Sequence, residues 1–224
     1  MNQLLVVAKR PAAGHSKTRL CPPLTGEQAA ALYEAFLRDV LDVLRAVQGV
    51  GRTVVYLAGD ADDDAALRYF AELAPDFALA RQRGDGLGER LDNLLSDALS
   101  AGAGAAVVTS SDSPNLPAAY VALAFEALAA GADVALGPSD DGGYYLIGLR
   151  RPQPRLTRDV PMSTPTVLAE TLALAESLGL RVALLPPWYD VDTADELRRL
   201  RADLDADPGS APWTRAALAA GVTG

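Results

Sequence analysis

An α/β fold is predicted, in a three-layer α/β/α arrangement around a mostly parallel (mixed) central sheet. Three observations predict it. Short apolar runs bounded by turn residues alternate with longer segments whose apolar residues recur at helical spacing, which is the pattern of repeated βα units. One run, Ala105–Thr109 (AAVVT), is nearly featureless, as a central strand covered on both faces must be. Half of the 224 residues are hydrophobic but only 6% are aromatic, so the core is built mostly of Leu, Val and Ala.

The first strand is the apolar run Leu4–Ala8. Thr25-Gly-Glu-Gln28 is a capping box, and it opens a helix to about Gln48 with a stripe that includes Leu32, Tyr33, Phe36 and Val40. Thr53–Ala58 reads as a buried strand closed by Gly59-Asp60. Asp62, Asp63 and Asp64 resemble a metal cluster, but acidic residues in a helix's first turn favour its dipole, and that structural reading is preferred. Phe77–Gln82 is a third strand, running into the turn Arg83-Gly-Asp-Gly-Leu-Gly88-Glu-Arg90 and then a helix carrying Leu91, Leu94 and Leu95. After Ala105–Thr109 comes an Ala/Leu helix over Ala118–Ala130 and a strand over Asp133–Gly137. Asp141-Gly142-Gly143 is a turn signal, and the short spacing makes Tyr144–Leu149 an antiparallel hairpin partner. Pro152–Pro165 reads as an irregular surface loop covering the acceptor side, with arginines that are either solvated or bind an anionic substrate. Thr164–Leu178 reads as a helix with Pro165 at its first position, and Leu180–Leu185 as a strand. Thr193 with Glu196 is a second capping box, for a helix to about Leu204. Residues 1–205 form one domain, and 206–224 a tail in which Trp213 pins a last short helix.

Composition excludes several classes. A net charge of −9 argues against nucleic-acid binding, which leaves a basic footprint. One cysteine and one histidine, Cys21 and His15, exclude an intrachain disulfide and zinc sites with two histidines, so a metal would be held by carboxylates, favouring Mg²⁺ or Mn²⁺. No apolar run approaches the ~18 residues of a membrane span, and the N-terminus is a strand rather than a leader; a cytoplasmic protein is expected.

Against that acidic background, Lys9, Arg10, Lys17 and Arg19 crowd a Gly- and Ala-lined loop after the first strand. Such a loop is either a solvated basic turn or a phosphate cradle in which backbone N–H groups face an anion and cations neutralise it. Its position at a strand's carboxyl end favours the second reading. It is not a Walker A loop: Pro11 and Ser16 stand where the glycines belong, and Pro22 and Pro23 bar Lys17 from opening a long helix. The three glycines of the Arg83–Arg90 turn free backbone groups that could read a base, with Gln82 offering a donor and an acceptor. Asp112, just past the central strand in Ser110-Ser-Asp-Ser-Pro, is either a helix cap or a metal ligand. Asp190 and Asp192 are two apart in an extended segment, so both can face one way and offer two oxygens to one metal. Pro138, Ser139 and Asp140 are placed to wall an acceptor pocket.

Taken together, AKRPAAGHSKTRL, SDSPNLP, GPSDDGGYYLIGL and YDVDTADEL resemble the GT-A-fold, Rossmann-like nucleotide-diphospho-sugar transferase superfamily. The resemblance is strongest to its bacterial glycosyltransferase-like (radical-SAM/selenodomain-associated transferase) family. It extends more distantly to phospholactate guanylyltransferases and molybdenum-cofactor nucleotidyltransferases. It implies Lys9 and Lys17, with Arg19, on the nucleotide phosphates, and Gln82, Gly86 and Gly88 near the base. It implies Mg²⁺ (or Mn²⁺) on Asp112, Asp190 and Asp192. On the acceptor side it implies Ser163 and the turn of Asp140, Asp141, Gly142, Gly143 and Tyr144. Lys17 and Asp112 are the catalytic candidates. The expected reaction is Mg²⁺-dependent transfer from an NTP to a small phosphorylated acceptor, releasing pyrophosphate. Glycosyl transfer from a nucleotide sugar is the alternative, and a non-catalytic nucleotide-binding protein, monomer or homodimer like the enzymes, is a third. The first loop departs from the nucleotidyltransferase pattern, which is richer in glycine and has an arginine before the lysine.

Overall fold

Alternation along the strands decides which side chains face which helices. The computed structural model describes residues 1–57 and 62–221. In β1 (Asn2–Lys9), Leu4, Val6 and Ala8 face one apolar core while Leu5 faces the other; in β2 (Val50–Leu57), Val54 and Tyr56 part from Val55 in the same way. Because successive strand side chains point to opposite faces, two apolar sets demand two helical layers. The first layer holds α1 (Gly26–Ala46), α2 (Asp63–Leu73), α4 (Ala118–Ala129) and α7 (Ala194–Ala206); the second holds α3 (Leu87–Ser100), α5 (Arg155–Arg158) and α6 (Val167–Ser177). No described helix is long and apolar enough to cross a membrane.

The described strands form one sheet in the order β3-β2-β1-β4-β6-β5-β7, with β3 at Ala78–Arg81, β4 at Ala106–Thr109, β5 at Val134–Pro138, β6 at Tyr144–Leu149 and β7 at Val182–Leu184. Strand β4, buried at all four positions, is the central one. Among the described strands only β6 runs antiparallel, pairing Thr109 with Leu146 on one side and Leu136 with Ile147 on the other, as the hairpin spacing implied. The parallel strands therefore deliver their carboxyl ends, and β6 its start, to a single edge. The loops after Lys9, Arg81, Thr109, Pro138 and Leu184 all gather there.

Both capping boxes form: Thr25 with Gln28 at α1 and Thr193 with Glu196 at α7. The last helix, α8 (Pro212–Ala219), packs on α1, where the buried Asp39 carboxylate accepts from the amides of Trp213 and Thr214. The indole of Trp213 donates to Asp42 at 3.0 Å. Asp62 pairs with Arg10 and Asp63 with Arg81, so these acids are structural at the start of α2. The Gly59-Asp60 closure of β2 lies outside the described residues.

Strand β2 begins at Val50 rather than Thr53 and β7 spans only Val182–Leu184, and two further stretches depart from expectation. The 152–165 segment contains a helical turn, α5, whose Leu156 and Thr157 are buried. Its arginines serve the protein's own acids: Arg158 pairs with Asp92 at 2.5 Å and Glu89 at 3.3 Å, and Arg155 with Asp159 at 2.8 Å. Helix α6 begins at Val167 rather than Thr164, because the carbonyl of Gly142 accepts from Leu168 N and the Pro165 backbone is packed against the hairpin turn.

Candidate active site

The first loop is closed on itself. The amides of His15 and Ser16 both donate to the Ala12 carbonyl, and Ala12 N donates to Ser16 Oγ at 3.1 Å. Gly14, at φ +73°, makes the turn. Those three amides are engaged within the loop. Lys9 Nζ donates to the His15 carbonyl at 2.9 Å and lines the cleft, while Arg10 is drawn away to Asp62.

Lys17 is the pivot. It sits in the left-handed region, at φ +48°, ahead of a single 3-10 turn at Thr18–Leu20 that stops before Pro22 and Pro23. A non-glycine residue held there is a strained one, and such strain concentrates at functional sites. Its side chain is 4% exposed, and its Nζ lies 2.5 Å from Asp112 Oδ1 and 2.8 Å from Asp192 Oδ1. The Phe36 and Tyr33 rings of α1 lie 5.7 and 5.9 Å away. Burial alone would lower the ammonium's pKa, but the charges of Asp112 and Asp192 outweigh it, so the pKa is raised and Lys17 stays a cation.

The acids arrive on two loops tied together, with Val191 N donating to the Asp112 carbonyl at 2.9 Å. The amides of Asp192 and Thr193 both donate to Glu196 Oε2, which fixes the Asp-Val-Asp segment at the start of α7. Asp190 has other partners than Asp192: its Oδ1 accepts from Ser110 Oγ at 2.9 Å and Ser113 Oγ at 2.7 Å. Burial and the neighbouring Asp112 charge push its pKa up to about 6, against the opposite pull of the two hydroxyls and Lys17.

Two chambers meet at these acids. The first, about 360 Å³, is lined by Lys9, Lys17, Tyr33, Gln82, Leu87 and Arg90 among others. The second, about 540 Å³, has an apolar floor that includes Leu91, Val108, Ile147 and Met162, with Asp141, Gly143, Tyr144, Ser163 and Asp190 around it. Val7, Arg19, Leu87, Asp112 and Asp192 line both and form the seam.

The structure places the remaining candidates differently. Gln82 lines the first chamber, with its Nε2 donating to the Val55 carbonyl at 3.0 Å. Gly86 and Gly88 lie on an adjoining groove between α3 and α5 that shares Leu87, Met162 and Ser163 with the second chamber, and Leu87 and Arg90 take their place in the first. Helix α3 starts at Leu87, so Gly88 is in its first turn, and a Cβ there would stand 2.0 Å from the Thr157 carbonyl. Glycine to alanine inside a helix ordinarily stabilises by up to about 1 kcal/mol. Gly88→Ala is instead expected to cost about 1–3 kcal/mol in urea unfolding, because α5 must move; a stabilised variant would disprove that contact. Gly142, at φ +88°, is likewise a packing glycine, with a Cβ position 1.9 Å from the Pro165 carbonyl. Asp140 pairs with Arg199 of α7 and does not line the second chamber. Tyr144 lines it, but its hydroxyl is directed at Met162 Sδ, and burial pushes its pKa up to about 12.

The three candidate metal ligands are not gathered into one set. Among the described residues, no group of three His, Cys, Asp or Glu side chains is placed to hold a metal ion. Asp112 and Asp192 converge on the Lys17 ammonium, while Asp190 is held off by two serines. Two converging carboxylates do fit Mg²⁺, which typically takes one or two protein carboxylates plus substrate phosphates and water.

Sequence reasoning missed Tyr33, Ser110, Ser111 and Ser113 as site residues. Tyr33 OH and Ser111 Oγ are 2.8 Å apart, and Tyr33 OH accepts from Lys9 N at 3.3 Å. Burial, then Asp112, pushes the Tyr33 pKa up to about 12, so it is a neutral hydroxyl joining the two loops. Its place in an otherwise apolar helical stripe was the available signal.

Comparison with known proteins agrees with this architecture. The family described as "Uncharacterized protein conserved in bacteria (DUF2064)" matches residues 41–164, more than half of the chain. A solved structure from Desulfovibrio desulfuricans G20, provisionally described as a nucleotide-diphospho-sugar transferase, is 32% identical over 97% of this chain and 94% of its own, with a TM-score of 0.89. Among more distant folds, CMP:2-keto-3-deoxy-manno-octonic acid synthetase complexed with CTP covers 92% of this chain and 100% of its own, at 13% identity and TM-score 0.56. The 4-diphosphocytidyl-2C-methyl-D-erythritol synthase fold covers 91% and 98%, at 16% identity and TM-score 0.58. No curated protein sequence matches. The chain thus belongs to the bacterial DUF2064 family, and its fold is that of the GT-A-like nucleotide-diphospho-sugar transferase superfamily.

Proposed function

We propose that this chain is a divalent-metal-dependent nucleotidyltransferase, joining an NTP in the first chamber to a small acceptor in the second. The observation that carries the reading is the seam: a cation-lined chamber and an apolar-floored chamber meet at Asp112, Asp192 and Arg19. An acceptor oxygen entering from the second chamber would form a bond to the α-phosphorus as the bond to the bridging oxygen breaks, and pyrophosphate would leave with that electron pair. Lys9 and Lys17 would stabilise charge on the phosphates, Gln82 would face the base, and the protein's main contribution would be positioning and electrostatics. Mg²⁺ or Mn²⁺ held by Asp112 and Asp192 would supply further phosphate neutralisation.

The acceptor chamber narrows the acceptor. Arg19 is the one cation among the described residues that line it, whereas Asp112, Asp141, Asp190 and Asp192 also line it. A phosphorylated acceptor would therefore set its phosphate at the seam beside Arg19 and lay its carbon body on the apolar floor.

Glycosyl transfer from a nucleotide sugar is the second reading, favoured by the description of the 32%-identical relative. Product analysis separates the two. With Mg²⁺, a metabolite extract as acceptor source, and labelled NTPs or nucleotide sugars, pyrophosphate is the expected product. Nucleoside diphosphate without pyrophosphate would overturn nucleotidyl transfer. Tight, metal-independent NTP binding without turnover, unchanged in Asp112→Asn, would overturn both.

A further inference from the structure

We propose that Lys17 is a built-in counter-cation that excludes free divalent metal from Asp112 and Asp192, so that metal enters only with a nucleotide whose phosphates take over the lysine. The proposal rests on the reading of this site as a metal–nucleotide centre and adds an order of binding to it. Lys17 Nζ lies 2.5 and 2.8 Å from one oxygen of each acid, at the point where their carboxylates converge. A Mg²⁺ ion bonded to both would need oxygens at about 2.0–2.1 Å, so ammonium and metal cannot share that point.

The lysine has little freedom to yield it. Its side chain is 4% exposed, it is flanked by the rings of Phe36 and Tyr33, and its backbone is fixed in a left-handed turn. Among the described residues lining the first chamber, the only acids are Asp112 and Asp192 themselves. A displaced ammonium therefore finds no protein carboxylate there to pair with, and leaving a buried charge unpaired is costly. A phosphate in that chamber supplies the missing partner. Free metal brings none.

Removing the ammonium reverses the sign usually seen when a site lysine is lost. In Lys17→Met two carboxylates are left facing one cation-sized point, with the exposed Arg19 guanidinium, 3.7 Å from Asp192 Oδ2, as the remaining counter-charge. Mn²⁺ alone, titrated by the electron paramagnetic resonance of the free ion, is expected to bind Lys17→Met at least about 10-fold more tightly than wild type. Asp192→Asn in the Lys17→Met background is expected to abolish the gain, which places the ion. Lys17→Gln, with circular dichroism on each variant, guards against a folding defect. In wild type, adding an NTP is expected to tighten Mn²⁺ binding more than it does in Lys17→Met. Free Mn²⁺ binding that is unchanged or weaker in folded Lys17→Met and Lys17→Gln would overturn the proposal. Wild type that binds no Mn²⁺ with any of the four common NTPs would instead overturn the metal–nucleotide reading beneath it.

Discussion

Asp112→Asn is expected to lower pyrophosphate-releasing turnover by about 10²–10³-fold, the usual cost of losing one preorganised electrostatic group. The substitution keeps the shape of the side chain and removes its charge. Asp112 lines both chambers and contacts Lys17 at 2.5 Å, so the lost charge lies where the two substrates would meet. Asn115, three residues on, provides a control for local packing: its amide donates to Tyr189 OH at 2.9 Å, away from the seam. Steady-state kinetics at saturating metal, with circular dichroism to verify folding, reads the effect. A wild-type rate in Asp112→Asn would remove Asp112 from the chemistry under either transfer reading.

Lys17→Ala is expected to lower turnover by about 10²-fold or more, provided the ammonium stabilises charge developing on the transferring phosphate. The same family of substitutions is expected to tighten free-metal binding, so turnover and metal affinity should move in opposite directions. That opposition separates Lys17 from a residue that merely holds the loop in place, whose loss would weaken both. The variant's effect should fall on kcat rather than on KM alone, since a uniform binding contribution would leave kcat unchanged. A wild-type kcat would exclude Lys17 from transition-state stabilisation.

Much of the fold was legible because its rules are local. Thr25-Gly-Glu-Gln28 and Thr193 with Glu196 close reciprocal hydrogen bonds within one helical turn, and both boxes form as read. The featureless Ala105–Thr109 run could only be covered on both faces, and β4 is central. The short Asp141-Gly-Gly turn could only return the chain antiparallel, and β6 does so between β4 and β5. The helix start at Thr164 was misread because Pro165 suits a first position, whereas the Pro165 backbone packs against Gly142 across the chain.

The site was legible in outline and not in pairing. That cations and carboxylates gather at one sheet edge could be read from residue order, because parallel strands all end there, Lys9 closes β1, and Lys17, Asp112, Asp190 and Asp192 each follow a strand. Who partners whom depends on how the loops pack. Lys17 was read as a partner of nucleotide phosphates, and nothing in its sequence position showed that it would lie between two of the acids; the left-handed turn at Lys17 and the Val191–Asp112 backbone bond bring three distant loops to one point. Gly88 was read as opening a ligand turn, yet it admits the Thr157 carbonyl from a helix some seventy positions later in the chain. Charge and chain direction are properties of residues and strands, so they can be read one position at a time. A pairing of charges or a close backbone approach belongs to two distant segments at once, and it exists only when the sheet has brought them together.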